Sequence, residues 1–176
     1  ARALDDEEIK LRKRNEAYFQ VSGAGHEAIG VAAGYCLKPG HDWFLGHYRD
    51  RALLLQLGMT PYEMILSAVG AKDEPNSEAR QMPCHWCLPR ANVLSRSSSV
   101  GTQFHHACGC AMAGRYIRRH GLKHRVAPDE IVLCTTGEGT TCQGEFFEAL
   151  NVACLRQLPV VFLVEDNGYA ISVPVE

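Results

Sequence analysis

Two apolar runs, Ile131–Thr136 (I-V-L-C-T-T) and Pro159–Glu165 (P-V-V-F-L-V-E), flank a segment of helical periodicity over residues 143–157. Phe146, Leu150, Ala153 and Cys154 fall on one face of that segment. Strand, helix, strand over this length is a βαβ unit, and its two strands must run parallel and close together. Near-continuous apolar strands suit a parallel sheet covered on both faces. The expected fold class is therefore α/β, with a mostly parallel sheet flanked by helices.

The rest of the chain supplies the flanking helices. Residues 5–19 read as a charged, peripheral helix. Residues 26–36 (H-E-A-I-G-V-A-A-G-Y-C) read as a small-residue helix suited to tight packing, and D-W-F-L-G as a short strand. Residues 48–57 and 61–69 predict two more helices, the second capped by Thr60 with Pro61 at its first position. Residues 71–95, rich in Pro, Asn and Ser, predict a long irregular loop of the kind that carries function. Residues 102–120 return to helix.

Composition narrows the function. A net charge of −2 over 176 residues gives no electrostatic footprint for nucleic acid or an anionic membrane. No run approaches the roughly 18 apolar residues of a membrane span, and no secretory leader is visible. The chain stops at V-P-V-E directly after a strand-like run, so it is expected to be part of a longer polypeptide. Of the eight cysteines, Cys36, Cys108, Cys110, Cys134, Cys142 and Cys154 lie in apolar runs and are expected to be small buried hydrophobes, reduced as thiols.

The carboxyl ends of parallel strands are where ligands bind. The βαβ unit puts the turn Gly137–Thr141 beside the turn Asp166–Tyr169. Glu138 sits between two glycines, in a Gly-x-Gly that commonly brings backbone close to a phosphate. A carboxylate there would repel a phosphate, so a cation is expected between them. Glu138 and Asn167 offer a carboxylate and an amide oxygen, hard donors that suit Mg²⁺ or Ca²⁺. The N–H groups of Gly139 and Thr140 are expected to open the following helix, where a diphosphate is stabilised. The spacing departs from Gly-x-Gly-x-x-Gly, and no Gly-Lys-Ser/Thr is present, so neither a dinucleotide fingerprint nor a Walker loop fits.

Gly137-Glu138-Gly139, followed after 26 residues by Asp166-Asn167, resembles the thiamine-diphosphate motif. The wider context resembles the alpha subunit, or alpha half of a fused chain, of the thiamine-diphosphate-dependent 2-oxoacid dehydrogenases. It covers nearly the whole chain through Gly25–Ala28 (G-H-E-A), Leu45–Asp50 (L-G-H-Y-R-D), Arg80–His85 (R-Q-M-P-C-H), Ser97–Gln103 (S-S-S-V-G-T-Q) and Asn167–Ser172 (N-G-Y-A-I-S). Several of these stretches resemble the branched-chain (2-oxoisovalerate) members in particular.

The resemblance implies a thiamine-diphosphate-binding fold, with residues 1–176 as the diphosphate-binding domain, truncated on its C-terminal side. Glu138, Asn167 and the Tyr169 carbonyl would ligate Mg²⁺. Tyr48, Arg49, Gly137, Gly139, Thr140 and Asn167, joined by His47, would hold the cofactor around its diphosphate. Ser98 and the Val100 backbone would lie on its aminopyrimidine side, and Ser97, Ser99, Thr102 and Gln103 match a potassium site. Three departures stand out: Asp166 replaces the first Asn of the usual pair, Ser99 replaces a proline, and Glu165 stands where a phosphate-binding Arg can occur.

The implied activity is oxidative decarboxylation of a branched-chain 2-oxoacid, in branched-chain amino acid catabolism, with acyl transfer to a lipoyl group on an acyltransferase component. A beta subunit or beta half would supply the glutamate that protonates the aminopyrimidine, in an α2β2 heterotetramer or fused homodimer. The alternatives are a pyruvate or acetoin dehydrogenase alpha subunit, and a non-catalytic cofactor-binding or assembly module. The implied location is cytoplasmic in a bacterium and the mitochondrial matrix in a eukaryote. No catalytic residue is assigned within the chain beyond His85 as a candidate, for which a structural hydrogen bond is the competing role. One of His105 and His106 is expected in a core or interface. Cys84-His85-Trp86-Cys87 spells Cys-x-x-Cys without a second ligand pair. Asp129 and Glu130 are expected to cap and solvate the start of the following strand.

Overall fold

The computed structural model describes residues 1–123 and 126–175; Glu176, the last residue of the V-P-V-E segment, lies outside the described residues. Strands β1 (Trp43–Leu45), β2 (Val132–Gly137) and β3 (Val160–Glu165) form one parallel sheet in the order β1-β2-β3. Trp43 pairs with Val132, Val132 with Val160, and Gly137 with Glu165. Helix α6 (Gly144–Arg156) makes the crossover from β2 to β3, as the βαβ reading requires. Helices α1 (Arg2–Lys13), α2 (Glu27–Cys36), α3 (Arg51–Gln56), α4 (Pro61–Ala68) and α5 (Thr102–His120) complete the layers.

Because side chains alternate along a strand, β1 and β2 feed two cores. Phe44 and Leu133 face a cluster with Leu53, Leu54, Met64, Trp86, Leu88 and Val93. Leu45, Val132 and Cys134 face the other way, onto Phe104, Ala107, Cys108, Ala149 and Ala153 of α5 and α6. The expectation of cover on both faces holds for these two strands. It fails for β3, where Val161 remains 47% exposed and Val164 40%.

Helix α1 is shorter and more central than expected. It stops at Lys13 because Asn15 adopts a left-handed φ of 60°. The Glu16 N–H then donates to the Leu11 carbonyl at 2.9 Å and the Asn15 N–H to Arg12 at 3.0 Å, a Schellman closure. Asp5 and Glu8 are not solvated; both are buried against Arg51, at 2.8 and 2.6 Å. The helix expected over 48–57 begins only at Arg51, since residues 46–50 form a buried turn beneath the sheet edge. Thr60 caps α4 as expected, in a reciprocal box with Glu63.

Tight packing of α2 is evident at two glycines. A Cβ on Gly30 would lie 3.0 Å from the Leu53 nitrogen, and one on Gly34 2.8 Å from Gln56. The segment 71–95 is irregular apart from a 3₁₀ turn at Pro89–Ala91, yet it is packed rather than loose: Cys84, Trp86, Leu88, Ala91 and Val93 are buried.

Several cysteine and histidine expectations are corrected. Cys108 and Cys134 are buried and Cys110 half-buried, but Cys36, Cys142 and Cys154 are exposed. On α6 the inward positions are Ala149 and Ala153, so Cys154 points away from the core. His105 and His106 are both exposed, so neither belongs to the core of this chain, and the interface alternative stands. Glu130 is buried and accepts from the Ala127 N–H at 3.1 Å, beside Arg118 and the Trp43 indole at 3.4 Å, whereas Asp129 pairs at the surface with Lys38 and His41. All eight cysteines are free thiols. Burial pushes the Cys84 thiol up to about 11, which argues against a redox role for the Cys84–Cys87 pair.

Candidate functional site

The parallel sheet aligns three chain reversals at its carboxyl edge, where Gly46–Asp50 follows β1, Glu138–Cys142 follows β2 and Asp166–Gly168 follows β3. Register fixes their spacing: Gly137 is the Cα partner of Glu165, so Glu138 and Asp166 leave the sheet as neighbours. Glu138 Oε2 accepts the Asn167 N–H at 3.3 Å across 29 residues of sequence. Glu138 Oε1 is buried and has no hydrogen-bond partner among the described residues. The expected juxtaposition of Glu138 and the Asn167 turn is therefore present.

The turn after β2 differs from expectation. Glu138–Cys142 is a 3₁₀ helix, and α6 begins only at Gly144. Gly139 and Thr140 thus sit in a separate tight turn rather than at the start of α6. Thr141 Oγ1 donates to the Glu138 carbonyl at 2.6 Å and closes that turn. Gly139 has a steric reason for being glycine: a Cβ there would lie 2.5 Å from the Ala170 Cβ. Ala170 belongs to a small antiparallel hairpin, β4 (Tyr169–Ala170) and β5 (Val173–Pro174), which sequence periodicity did not reveal. Asn167 Oδ1 accepts the Tyr169 N–H at 3.0 Å, an Asx turn that starts the hairpin.

Beneath the turns lies a buried polar cluster. Asp50 Oδ2 accepts from the His47 N–H and from Thr135 Oγ1 by short hydrogen bonds. His47 Nδ1 is 3.1 Å from Glu165 Oε2, and both side chains are 1% exposed. The His47 ring lies against Tyr48, with centroids 3.9 Å apart, and sits under Gly137. Burial holds His47 down to about 3, so its imidazole is neutral. Burial and then the Glu165 charge push Asp50 up to about 7, and burial also raises Glu165. His47 therefore supports the turn from below, while its Nε2 is buried without a hydrogen-bond partner among the described residues.

Two guanidinium groups lie against the Tyr48 ring, Arg49 at 5.3 Å and Arg96 at 4.5 Å from its centroid. Arg49 Nη1 donates to the Ser22 carbonyl at 2.7 Å. The sequence singled out Tyr48 and Arg49 and passed over Arg96, which the fold brings to the same ring. Its signal was a lone cation directly before the serine run Ser97-Ser98-Ser99.

The serine loop is braced from two sides. Gly101, with φ of 96°, approaches so close to Gln143 that a Cβ would overlap the Gln143 Oε1. Ser98 Oγ is 2.7 Å from His85 Nε2, and His85 Nδ1 is 3.1 Å from the Pro83 carbonyl. A carbonyl can only accept, so Nδ1 carries the proton and Nε2 accepts from Ser98. His85 is thereby engaged in orienting Ser98. Ser97 Oγ accepts the Ser99 N–H at 3.2 Å, Thr102 Oγ1 donates to the Ser99 carbonyl at 2.9 Å, and Gln103 Oε1 accepts the Gly101 N–H at 3.0 Å. Val100 is half-buried in the same loop.

Among the described residues, no group of three or more His, Cys, Asp or Glu could hold a metal. The oxygens of the turns after β2 and β3 are the Glu138 and Asp166 carboxylates, the Asn167 amide and backbone carbonyls, with Asp166 Oδ1 already accepting the Gly168 N–H. Such a set does not cage an ion alone, but it suits Mg²⁺ shared with phosphate oxygens, for which one or two carboxylates suffice. The unpaired Glu138 Oε1, the glycine-floored turn and the two arginines fit an anionic phosphate group carrying its own cation.

Comparison with known proteins agrees with this geometry. The chain is 37% identical over 174 residues to the 2-oxoisovalerate dehydrogenase subunit alpha of Bacillus subtilis (strain 168), covering 99% of this chain and 50% of that protein. It is 32% identical to the pyruvate dehydrogenase E1 component subunit alpha of the same organism, across 99% of this chain and 42% of the relative. It is also 32% identical to the 3-methyl-2-oxobutanoate dehydrogenase subunit alpha of Mycobacterium tuberculosis (strain CDC 1551 / Oshkosh), with the same coverage. The chain thus spans half or less of the length of these relatives. The model of the dehydrogenase E1 component matches residues 1–176, and the chain belongs to that family.

Proposed function

We propose that residues 1–176 form the diphosphate-binding domain of a 2-oxoacid dehydrogenase E1 alpha subunit, holding thiamine diphosphate with Mg²⁺. The observation that carries this reading is the buried, unpaired Glu138 Oε1 beside the Asn167 turn, at the carboxyl ends of adjacent parallel strands. Glu138, Asn167 and the Tyr169 carbonyl would hold the cation. Tyr48, Arg49, Gly139 and Thr140 would hold the diphosphate, and Ser98 with Val100 the aminopyrimidine side. Gln103, Ser97, Ser99 and Thr102 would take K⁺ through hydroxyl and amide oxygens.

When bound, the cofactor supplies the nucleophilic carbon that cleaves the bond between the keto carbon and the carboxylate of a 2-oxoacid. The chain's own residues bind and orient. Arg49 offers a guanidinium fork to phosphate oxygens. Neutral His47 and Thr135 hold the Asp50–Glu165 cluster under the turns, and His85 fixes the Ser98 hydroxyl.

A branched-chain 2-oxoacid is the favoured substrate, since of two Bacillus subtilis relatives the one named for 2-oxoisovalerate is 37% identical and the one named for pyruvate 32%. Partners would be a beta subunit or beta half and a lipoyl acyltransferase, in an α2β2 or fused assembly. The location would be cytoplasmic in a bacterium or the mitochondrial matrix in a eukaryote. Calorimetry of the full-length complex with thiamine diphosphate, with and without Mg²⁺, tests the core of the reading. Metal-dependent binding that Arg49→Ala abolishes with the fold intact supports it; the absence of metal-dependent binding refutes it. Turnover of branched against linear 2-oxoacids then separates the substrate classes, and binding without turnover would point to a non-catalytic module.

A further inference from the structure

Arg96 is only 5% exposed, yet its Nε, Nη1 and Nη2 have no hydrogen-bond partner among the described residues. Arginine almost never stands buried without a counter-charge, because stripping water from an ion is strongly unfavourable unless something replaces it. Its guanidinium lies against the Tyr48 face, with Cζ 4.5 Å from the ring centroid. A ring face steadies a cation but satisfies none of the five N–H donors.

The other buried arginine makes the contrast. Arg51 reaches Asp5 and Glu8 at 2.8 and 2.6 Å, so this chain provides carboxylates where an arginine is purely structural. The carboxylates that act on Arg96 are Asp50 and Glu165, yet among the described residues its guanidinium nitrogens have no hydrogen-bond partner on either. Asp50 is engaged with His47 and Thr135, and Glu165 with His47. The guanidinium is thus left with open donors at the strand carboxyl ends.

Resting on the diphosphate-binding reading above, we propose that Arg96 is a further anion-binding residue of this site, reserved for phosphate oxygens of the cofactor's diphosphate. Two guanidinium groups, Arg49 and Arg96, both lie against the Tyr48 ring, with Cζ 5.3 and 4.5 Å from its centroid, and bring two positive charges to the same neighbourhood. A diphosphate, with several negative oxygens, matches two forks; a single substrate carboxylate matches one.

The test uses the full-length protein with the subunit that completes its site, as wild type, Arg96→Gln and Arg96→Lys. Three quantities are measured: thiamine diphosphate affinity in Mg²⁺ by calorimetry, competition by inorganic pyrophosphate, and the melting temperature without ligand. Arg96→Gln should weaken both ligands roughly 10- to 150-fold, the range for a lost charged hydrogen bond. Arg96→Lys should recover part of the loss. The ligand-free melting temperature should hold or rise in Arg96→Gln, because an uncompensated buried charge has been removed.

Unchanged affinity for both ligands would overturn the proposal. So would a raised KM for the 2-oxoacid with unchanged cofactor affinity, which would assign Arg96 to the substrate carboxylate. A lowered melting temperature with unchanged affinity would make it structural. A wild type that binds pyrophosphate but not thiamine diphosphate would refute the functional reading while leaving Arg96 to be judged on pyrophosphate alone. A wild type that binds neither would overturn both.

Discussion

Replacing Asp50 by asparagine isolates the electrostatics beneath the site. Asp50 is pushed up from 3.8 to about 7, by burial and then by the Glu165 charge. The folded state therefore keeps a proton that the unfolded state has released between those two values. This group's stabilising contribution is present below 3.8 and is lost as pH rises through about 7, by roughly 4 kcal/mol in all at about 1.4 kcal/mol per pH unit. His47 acts in the opposite direction. Its folded value of about 3 lies below 6.5, so stability is lost as pH falls from 6.5.

Between about pH 4 and 6.5 the contributions of these two groups oppose and nearly cancel. The Asp50→Asn amide oxygen can still accept from the His47 N–H and Thr135 Oγ1, but it does not titrate. The variant should therefore lose stability relative to wild type by about 2 kcal/mol as pH falls from 7 to 5. Urea unfolding of the full-length subunit at several pH values measures the difference. A variant-minus-wild-type difference that stays constant over this range, or that favours the variant at lower pH, would refute the coupling.

Arg51→Leu should destabilise by about 3–5 kcal/mol, since it strands Asp5 and Glu8 as uncompensated buried carboxylates; thermal unfolding reads the loss. Gly139→Ala should push the Ala170 hairpin off the motif turn, at a stability loss of about 1–3 kcal/mol. Its thiamine diphosphate affinity, by calorimetry, should fall more than that of a Gly144→Ala control, where a Cβ meets open space. Buried Cys84, Cys108 and Cys134 should react with a thiol reagent only upon unfolding, as followed by mass spectrometry.

The βαβ unit and the meeting of Glu138 with the Asn167 turn were legible because strand period, crossover length and parallel pairing leave little freedom. Arg96 and the His47–Asp50–Glu165 cluster were not, since each depends on burial, which a polar residue in a loop does not advertise. Helix α1 was overextended because Asn15 was passed over as a stop, although Asn favours left-handed backbone. Asp5 and Glu8 were misread as solvated because their partner, Arg51, lies more than forty residues away in sequence. The hairpin after β3 escaped because its strands are two residues each, too short for any period to show.

The pairing of Gly137 with Glu165 has a consequence for how such a site can change over time. The gap between the turns after β2 and β3 is set by the interstrand spacing of about 4.8 Å, a property of peptide groups rather than of side chains. Substitutions among Leu133, Cys134 and their apolar neighbours alter packing without moving this ruler. Replacements at the strand tips alter chemistry without disturbing the layers below. Drift in the core and innovation at the rim can therefore proceed independently, and only a slip of strand register would bind the fate of one to the other.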